Sequence, residues 1–152
     1  STTITVPADA MKWRGGVLSP SGKIFGIPDS STFVLVVDPV TLEADTTTIA
    51  VTIGGSKWNG GVLSRSGKIF GIPRDSASVL VVDPVAMEAD TNTIAVPADI
   101  FKCSGGVLSP SGKIFGIPYM SASVLQIDCG VACGEGIPPA QQWMLSAFVN
   151  KF

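Results

Sequence analysis

The chain has 152 residues, enough for one domain with a hydrophobic core, and its charged residues amount to 14% where about 25% is typical. Its net charge of −2, without basic clusters, argues against a nucleic-acid partner. Because histidine is absent, the commonest general base and metal ligand are missing, and we expect no catalytic residue, no metal and no cofactor.

One motif occurs three times at a constant spacing of 45 residues. GGVLSPSGKIFGIP begins at Gly15, returns with one substitution at Gly60, and is repeated at Gly105. Apolar runs separated by turn residues predict four short strands in each copy. In the first copy the predicted strands are 16–19, 23–27, 33–37 and 46–51. Connections this short favour antiparallel neighbours, so the sequence predicts an all-β fold built from four-stranded repeats.

Four strands in about 40–45 residues is the size of one blade of a β-propeller. The glycine pairs at the entrance to each first strand agree with blades that crowd around an axis. Together with VLVVDP, the motif resembles the repeats of YncE- and NHL-like propellers, and more closely a variant of that repeat in multi-copy algal proteins. The resemblance covers residues 1–128 and implies a propeller fold with a binding or scaffolding role.

The two ends of the repeat region are complementary. Residues 1–6 (STTITV) align with 46–51, so we predict a spare strand at the start, whereas the third repeat lacks a fourth strand. Three blades are too few to close a ring. We therefore predict that two chains exchange strands head to tail and form a six-bladed ring. The alternatives are a larger ring that includes other subunits, a piece of a longer polypeptide, and a β-trefoil or β-prism, which closes with three units.

Residues 129–152 depart from the repeat and form a predicted tail. Pro138 and Pro139 open a predicted helix over 139–151. Its apolar residues cover most of the helix circumference, so the helix is expected to pack on the ring or to form an interface with a neighbouring subunit. The candidate interface residues are Trp143, Met144, Phe148 and Phe152.

Cysteine usage leaves the compartment open. Three thiols give no complete zinc site, and the one candidate disulfide joins Cys129 to Cys133. No apolar run is long enough for a transmembrane segment, and the chain shows no charged and apolar leader, so we expect that any targeting segment was removed or never present. The localisation is therefore undetermined, and a processed secreted or organellar protein is compatible with the sequence.

The best functional signal is the place where the copies differ. The loops before the first strand and between the second and third strands change from copy to copy, and aromatic, Met and Arg side chains at such places anchor interfaces and ligands. The candidate binding residues are Trp13, Arg14, Asp29, Trp58, Asn59, Arg74, Tyr119 and Met120. The plainer interpretation is that unneeded loops drift and that each Trp covers the core of its blade.

These observations favour a non-enzymatic binding or scaffolding subunit that acts within an oligomer or a larger complex. The expected partners are a second copy of the chain or other subunits. The alternative is a carbohydrate-binding, lectin-like module that uses the loops bearing Trp13 and Trp58, although Cys103 replaces Trp in the third copy. The recurring serines and carboxylates are interpreted as turn residues, since nothing in the sequence would activate them.

Overall fold

The fold was analysed in a computed structural model that describes residues 1–9, 12–97, 103–127 and 130. The predicted helix 139–151, the candidate disulfide and the candidate interface residues of the tail lie outside these ranges.

Each 45-residue repeat folds into its own antiparallel sheet. The first sheet contains β1 (Trp13–Leu18), β2 (Ile24–Pro28), β3 (Leu35–Asp38) and β4 (Glu43–Asp45). The second contains β5 (Trp58–Leu63), β6 (Ile69–Pro73), β7 (Leu80–Asp83) and β8 (Glu88–Asp90). The third contains β9 (Cys103–Leu108), β10 (Ile114–Pro118) and β11 (Leu125–Ile127). In all three sheets each strand pairs with the next one along the chain, which confirms the predicted meanders.

The fourth strand is not where the sequence placed it. The prediction of a strand over 46–51 is wrong, because the fourth strand is Glu43–Asp45, in the segment read as a loop. Backbone N–H groups of Thr47 and Thr48 donate to the Asp45 carboxylate at 2.8 and 3.1 Å, and this turns the chain away from β4. The chain then returns to the far end of the blade, where Val34 donates to the Ile49 carbonyl at 2.9 Å.

The ends of the described repeats bear on the strand-exchange prediction. Among the described residues the third repeat has three strands, while 1–9 contain no strand or helix. Ile4 and Thr5 line a cavity beside β4 of their own chain. Since 1–6 correspond to 46–51, they match the returning segment rather than a fourth strand. Exchange of this segment with a second chain stays a prediction.

The innermost strands approach one another closely. Gly15, Gly60 and Gly105 all have φ near +75°, a backbone conformation that side chains disfavour, and each lies where its strand bulges. A Cβ on Gly15 would lie 3.0 Å from the Cα of Gly60, and one on Gly60 would lie 3.0 Å from the Cα of Gly105. The predicted crowding of first strands around an axis is confirmed.

Each blade presents two different faces to its neighbours. We call one the knob face, which in the first repeat consists of Phe25, Ile27, Val34, Val36 and Ile49. We call the other the groove face, which in the first repeat consists of Trp13, Gly16, Ile24, Gly26, Leu35 and Val37. The two faces alternate along the strands, so that Ile27 points to one side and Gly26 to the other.

The knob face of one repeat packs on the groove face of the next. One buried cluster combines the knob face of the first repeat with Trp58, Ile69, Leu80 and Val82 of the second. The other combines Phe70, Ile72 and Val79 of the second repeat with Cys103, Ile114, Leu125 and Ile127 of the third. The hydrophobic core of the molecule therefore lies between the blades, at two equivalent interfaces.

Four aspartates hold the turns that follow the outer strands. The Asp38 carboxylate accepts hydrogen bonds from the backbone N–H groups of Thr41 and Val40, and these bonds lower its pKa. Asp83 repeats this arrangement. At Asp45 the Thr48 side chain and the Thr47 N–H lower the pKa, and Asp90 repeats it with Thr93 and Asn92. Their role as turn residues is confirmed.

We expect Gly61→Ala to destabilise the fold by about 1–3 kcal/mol, the usual cost of overpacking a core. The new Cβ would lie 2.7 Å from Ile27 Cδ1 and 2.8 Å from Val17 Cγ2. Urea denaturation followed by far-UV circular dichroism measures the change. Gly55→Ala is the matched control, since its nearest contact would be Ser30 Oγ at 3.8 Å. Equal stability of the two variants would contradict this packing.

We also expect stability to fall as the pH drops below about 5, where the unfolded-state aspartates begin to take up protons. A carboxyl whose pKa is lowered by folding contributes stability above its unfolded pKa and loses it as the pH falls through the folded value. The double variant Asp45→Asn/Asp90→Asn should show a shallower fall in the urea midpoint between pH 5 and 2. Asp9→Asn serves as the control for the charge change, and a double variant with the wild-type slope would contradict the prediction.

Candidate functional site

Two parts of the surface are candidates for function: the variable loops at one end of the blades, and the blade faces at the two ends of the repeat array. In the variable loops, the structure brings two predicted site residues, Arg14 and Arg74, close to the buried carboxylate of a third, Asp29. Arg14 Nε lies 3.7 Å from Asp29 Oδ2, and Arg74 Nη1 lies 3.8 Å from Asp29 Oδ1. Asp29 is buried, and its Oδ1 has no hydrogen-bond partner within the described ranges.

Lys57, which precedes Trp58, completes this cluster. Lys57 is buried, and its Nζ donates to the carbonyls of Ser31 at 2.9 Å and Gly54 at 2.5 Å. Burial lowers the pKa of Lys57, while the Asp29 carboxylate acts in the opposite direction. The Lys57 backbone N–H also donates to the Asp29 carbonyl at 3.1 Å. The cluster thus ties the first repeat to the second by charge and by backbone hydrogen bonds.

The two predicted tryptophans have different environments although their local geometry is the same. Each indole Nε1 donates to a backbone carbonyl, from Trp13 to Phe33 at 2.9 Å and from Trp58 to Ser78 at 2.8 Å. Trp58 is 0% exposed because the knob face of the first repeat covers it. Its ring is therefore a core element here and is not accessible for stacking on a ligand. Trp13 has no preceding repeat among the described residues and remains partly exposed.

Trp13 borders a cavity of about 460 Å³. Lys12 Nζ lies 4.7 Å from the centroid of the Trp13 ring, a cation–π distance. Ser31, Thr32 and Thr47 supply polar groups to the same wall. The cavity therefore combines an aromatic face with hydroxyl groups and a cation.

The remaining predicted residues lie in the equivalent loops of the other repeats. Asn59 follows Trp58 in β5 and is partly buried. Tyr119 and Met120 follow β10 and are exposed at 69% and 67%. These two large side chains therefore present an apolar patch in the loop of the third repeat that corresponds to Asp29 and Ser30 in the first.

Head-to-tail pairing was predicted from the sequence, but the side chains that form the second candidate region were not identified. The groove face of the first repeat and the knob face of the third have no covering blade among the described residues. Ile24 is exposed at 36%, Ile117 at 44% and Val124 at 56%, whereas the equivalent positions between blades are buried. The signal was the alternation of isoleucine and glycine in IFGI, which places a projecting side chain on one face and a gap on the other.

Other chemistry is limited in the part of the chain that the structure describes. Cys103 is buried in the second interface with its thiol free, and burial raises its pKa. Across residues 1–9, 12–97, 103–127 and 130, no three His, Cys, Asp or Glu side chains are grouped so that they could hold a metal ion. The same residues include no helix of the length and apolarity needed to cross a membrane.

Comparison with known proteins gives the fold. No protein family matches the chain, and no curated protein matches it. It is similar to an auxiliary nutrient-binding protein from Bacteroides ovatus (TM-score 0.62, 14% identity, 81% of this chain and 30% of that one). It is also similar to virginiamycin B lyase from Staphylococcus aureus (0.56, 10%, 82% and 43%) and to hydrazine synthase from Kuenenia stuttgartiensis (0.61, 22%, 84% and 35%).

These identities show the fold alone. The chain spans less than half the length of each of these proteins. The nutrient-binding protein and the lyase are propeller-type proteins, and the three sheets stack as consecutive blades. The predicted all-β, propeller-type architecture is confirmed, and the trefoil and prism alternatives are not supported. The chain is a three-repeat array of β-propeller blades.

Proposed function

We propose that this chain is a non-enzymatic binding or scaffolding subunit that works within an oligomer or a larger complex. One observation carries the proposal: both end faces of the array expose the side-chain types that are buried between its blades. Ile117 and Val124 are exposed, whereas the equivalent Ile27 and Val34 are fully buried. Apolar patches of this kind mark surfaces that another protein covers.

The environments of the polar residues support a role without catalysis. Ser19 and Ser64 are buried in turns, where their hydroxyls contact the hydroxyls of Ser21 and Ser66 at 2.9 and 2.8 Å. The aspartates after the outer strands accept hydrogen bonds from backbone N–H groups of their own turns. The similar structures include enzymes, but their identities of 10–22% lend this chain no activity.

The repeats themselves are proposed to be relatives of the YncE- and NHL-like kind, which bind and scaffold with different residues in each protein. In this proposal the ring is completed by further blades, supplied by another chain. The variable loops would then offer Arg14, Arg74, Tyr119 and Met120 as contacts for a partner at one end of the ring. Arginine and tyrosine are enriched among residues that dominate binding energy.

The native mass in solution tests the proposal. We expect light scattering after size exclusion to give a multiple of the 15.6 kDa chain mass, with dissociation on dilution. Removal of residues 1–6 should weaken the assembly, because these residues correspond to the returning segment in which Ile49 is buried. A compact monomer at every concentration from about 1 to 100 µM would contradict self-assembly and leave only a complex with other subunits, since assembly in this range corresponds to about 5–8 kcal/mol.

A carbohydrate-binding role is the second candidate, and the cavity beside Trp13 favours it. Aromatic faces flanked by hydroxyls and a cation suit sugar rings, and Trp13 is partly exposed. In a glycan array, specific binding that is lost in Trp13→Ala and kept in Trp58→Phe would support this role. Absence of binding to any sugar on the glycan array would contradict this role. The two candidates compete for one surface, because a covering blade would bury Trp13 as it buries Trp58.

A further inference from the structure

We propose that the groove face of the first repeat is the docking surface for the knob face of the third repeat in a second copy of this chain. This inference rests on the proposed function and names the partner and the contact. Its template is internal, because the chain already forms the same contact twice between its own repeats.

The groove face of the first repeat has the composition of a buried one. Its large side chains match, type for type, the four that are fully buried in the second repeat. The pairs are Trp13 and Trp58, Ile24 and Ile69, Leu35 and Leu80, Val37 and Val82. The members from the second repeat are all 0% exposed, whereas Ile24 is exposed and Trp13, Leu35 and Val37 are only partly buried. The groove face of the first repeat therefore suits a knob face, as the groove face of the second repeat does.

The knob face of the third repeat has the matching composition. Phe115, Ile117 and Val124 stand where the first repeat has Phe25, Ile27 and Val34. Those three are 0% exposed against the second repeat, while Ile117 and Val124 are exposed. Gln126 replaces Val36, and its counterpart Val81 is only partly buried in the second interface, so a longer polar side chain fits at the rim.

One steric detail gives the docking its register. Ile27 occupies the space above Gly61, where an added Cβ would lie 2.7 Å from its Cδ1, and it lies 3.3 Å from a Cβ on Gly71. Ile72 repeats both distances at Gly106 and Gly116. The equivalent gap of the first repeat, at Gly16, is open: a Cβ there would meet only Ile24 Cγ2 at 3.4 Å and the Phe25 carbonyl at 3.7 Å. Ile117 of a second copy fills it.

The segment before the first blade extends the same contact. In the first repeat, Val34 donates to Ile49 and Val51 donates to Thr32, and the segment then leads into β5 at Trp58. Residues 4–6 correspond to 49–51 and precede Trp13 by the same spacing as 49–51 precede Trp58. In the docked pair, Ile4 leaves the cavity beside β4 of its own chain and takes the place of Ile49 against Val124 of the second copy. This refines strand exchange into exchange of the returning segment.

Two substitutions on opposite sides of the contact test the inference. Gly16→Ala fills the gap that Ile117 needs, and Ile117→Asp places a charge on the knob. We expect each to raise the dissociation constant of self-association at least about tenfold, as overpacking or burial of a charge does at an interface. Ile53→Asp is the matched control, because Ile53 is 91% exposed between the first two repeats and belongs to neither end face.

Association is measured by light scattering over a dilution series, with the urea midpoint of each variant as the check on folding. Val124→Asp replaces Ile117→Asp if that variant does not fold. Assemblies that persist in Gly16→Ala and in the knob variant would overturn the inference and leave the proposed function standing on another surface. A wild-type chain that is monomeric throughout would overturn the inference and the oligomeric form of the proposed function. Loss of association in both variants, with the control unchanged, supports the head-to-tail contact.

Discussion

The insertion of one isoleucine into a gap beside two glycines holds this array together. Ile27 fills the space beside Gly61 and Gly71, and Ile72 does the same at Gly106 and Gly116. No larger residue fits at Gly61 or Gly106 while the isoleucine is in place. Because interiors are packed as densely as organic crystals, this contact fixes the separation and register of adjacent blades. The glycines at the innermost strands bring the blades together at the axis, and the isoleucine spaces them farther out.

Because each repeat buries its faces only against neighbouring repeats, the outer faces of the first and last repeats are left uncovered. The first repeat therefore exposes its groove face and the third exposes its knob face, whereas the second repeat buries both. These two exposed faces are of the kinds that pack on each other inside the array. This property links the fold to the proposed role, since the proposed assembly would use the same kinds of side chain that build the core. It also explains the different fates of two identical tryptophans. Trp58 is covered by the first blade, whereas Trp13 has no covering blade among the described residues.

The architecture could be predicted from the sequence, and the outermost strand could not. The 45-residue period and the glycine pairs led to blades and to a crowded axis, and both were confirmed. The strand predicted over 46–51 followed the β-branched residues of TTTIAV, whereas Glu43–Asp45 has low strand propensity and pairs only because β3 lies beside it. The environment of Trp58 could not be predicted either, because a Trp beside a varying loop has the same sequence context whether it faces a ligand or a neighbouring blade. Arg14, Asp29 and Arg74 were each predicted as site residues. Their contact at the Asp29 carboxylate could not be predicted, because it depends on how the first two blades pack.

Hydroxyl-radical footprinting of the native chain, read by mass spectrometry at two concentrations, tests the central claim most directly. The account predicts that Trp13 and Ile117 become protected at the concentration where the chain assembles, and that Trp13 then reacts as slowly as Trp58. Ile53 is the internal reference, since it is 91% exposed and belongs to neither end face. Trp13 and Ile117 that react at unchanged rates in the assembled state would contradict the account.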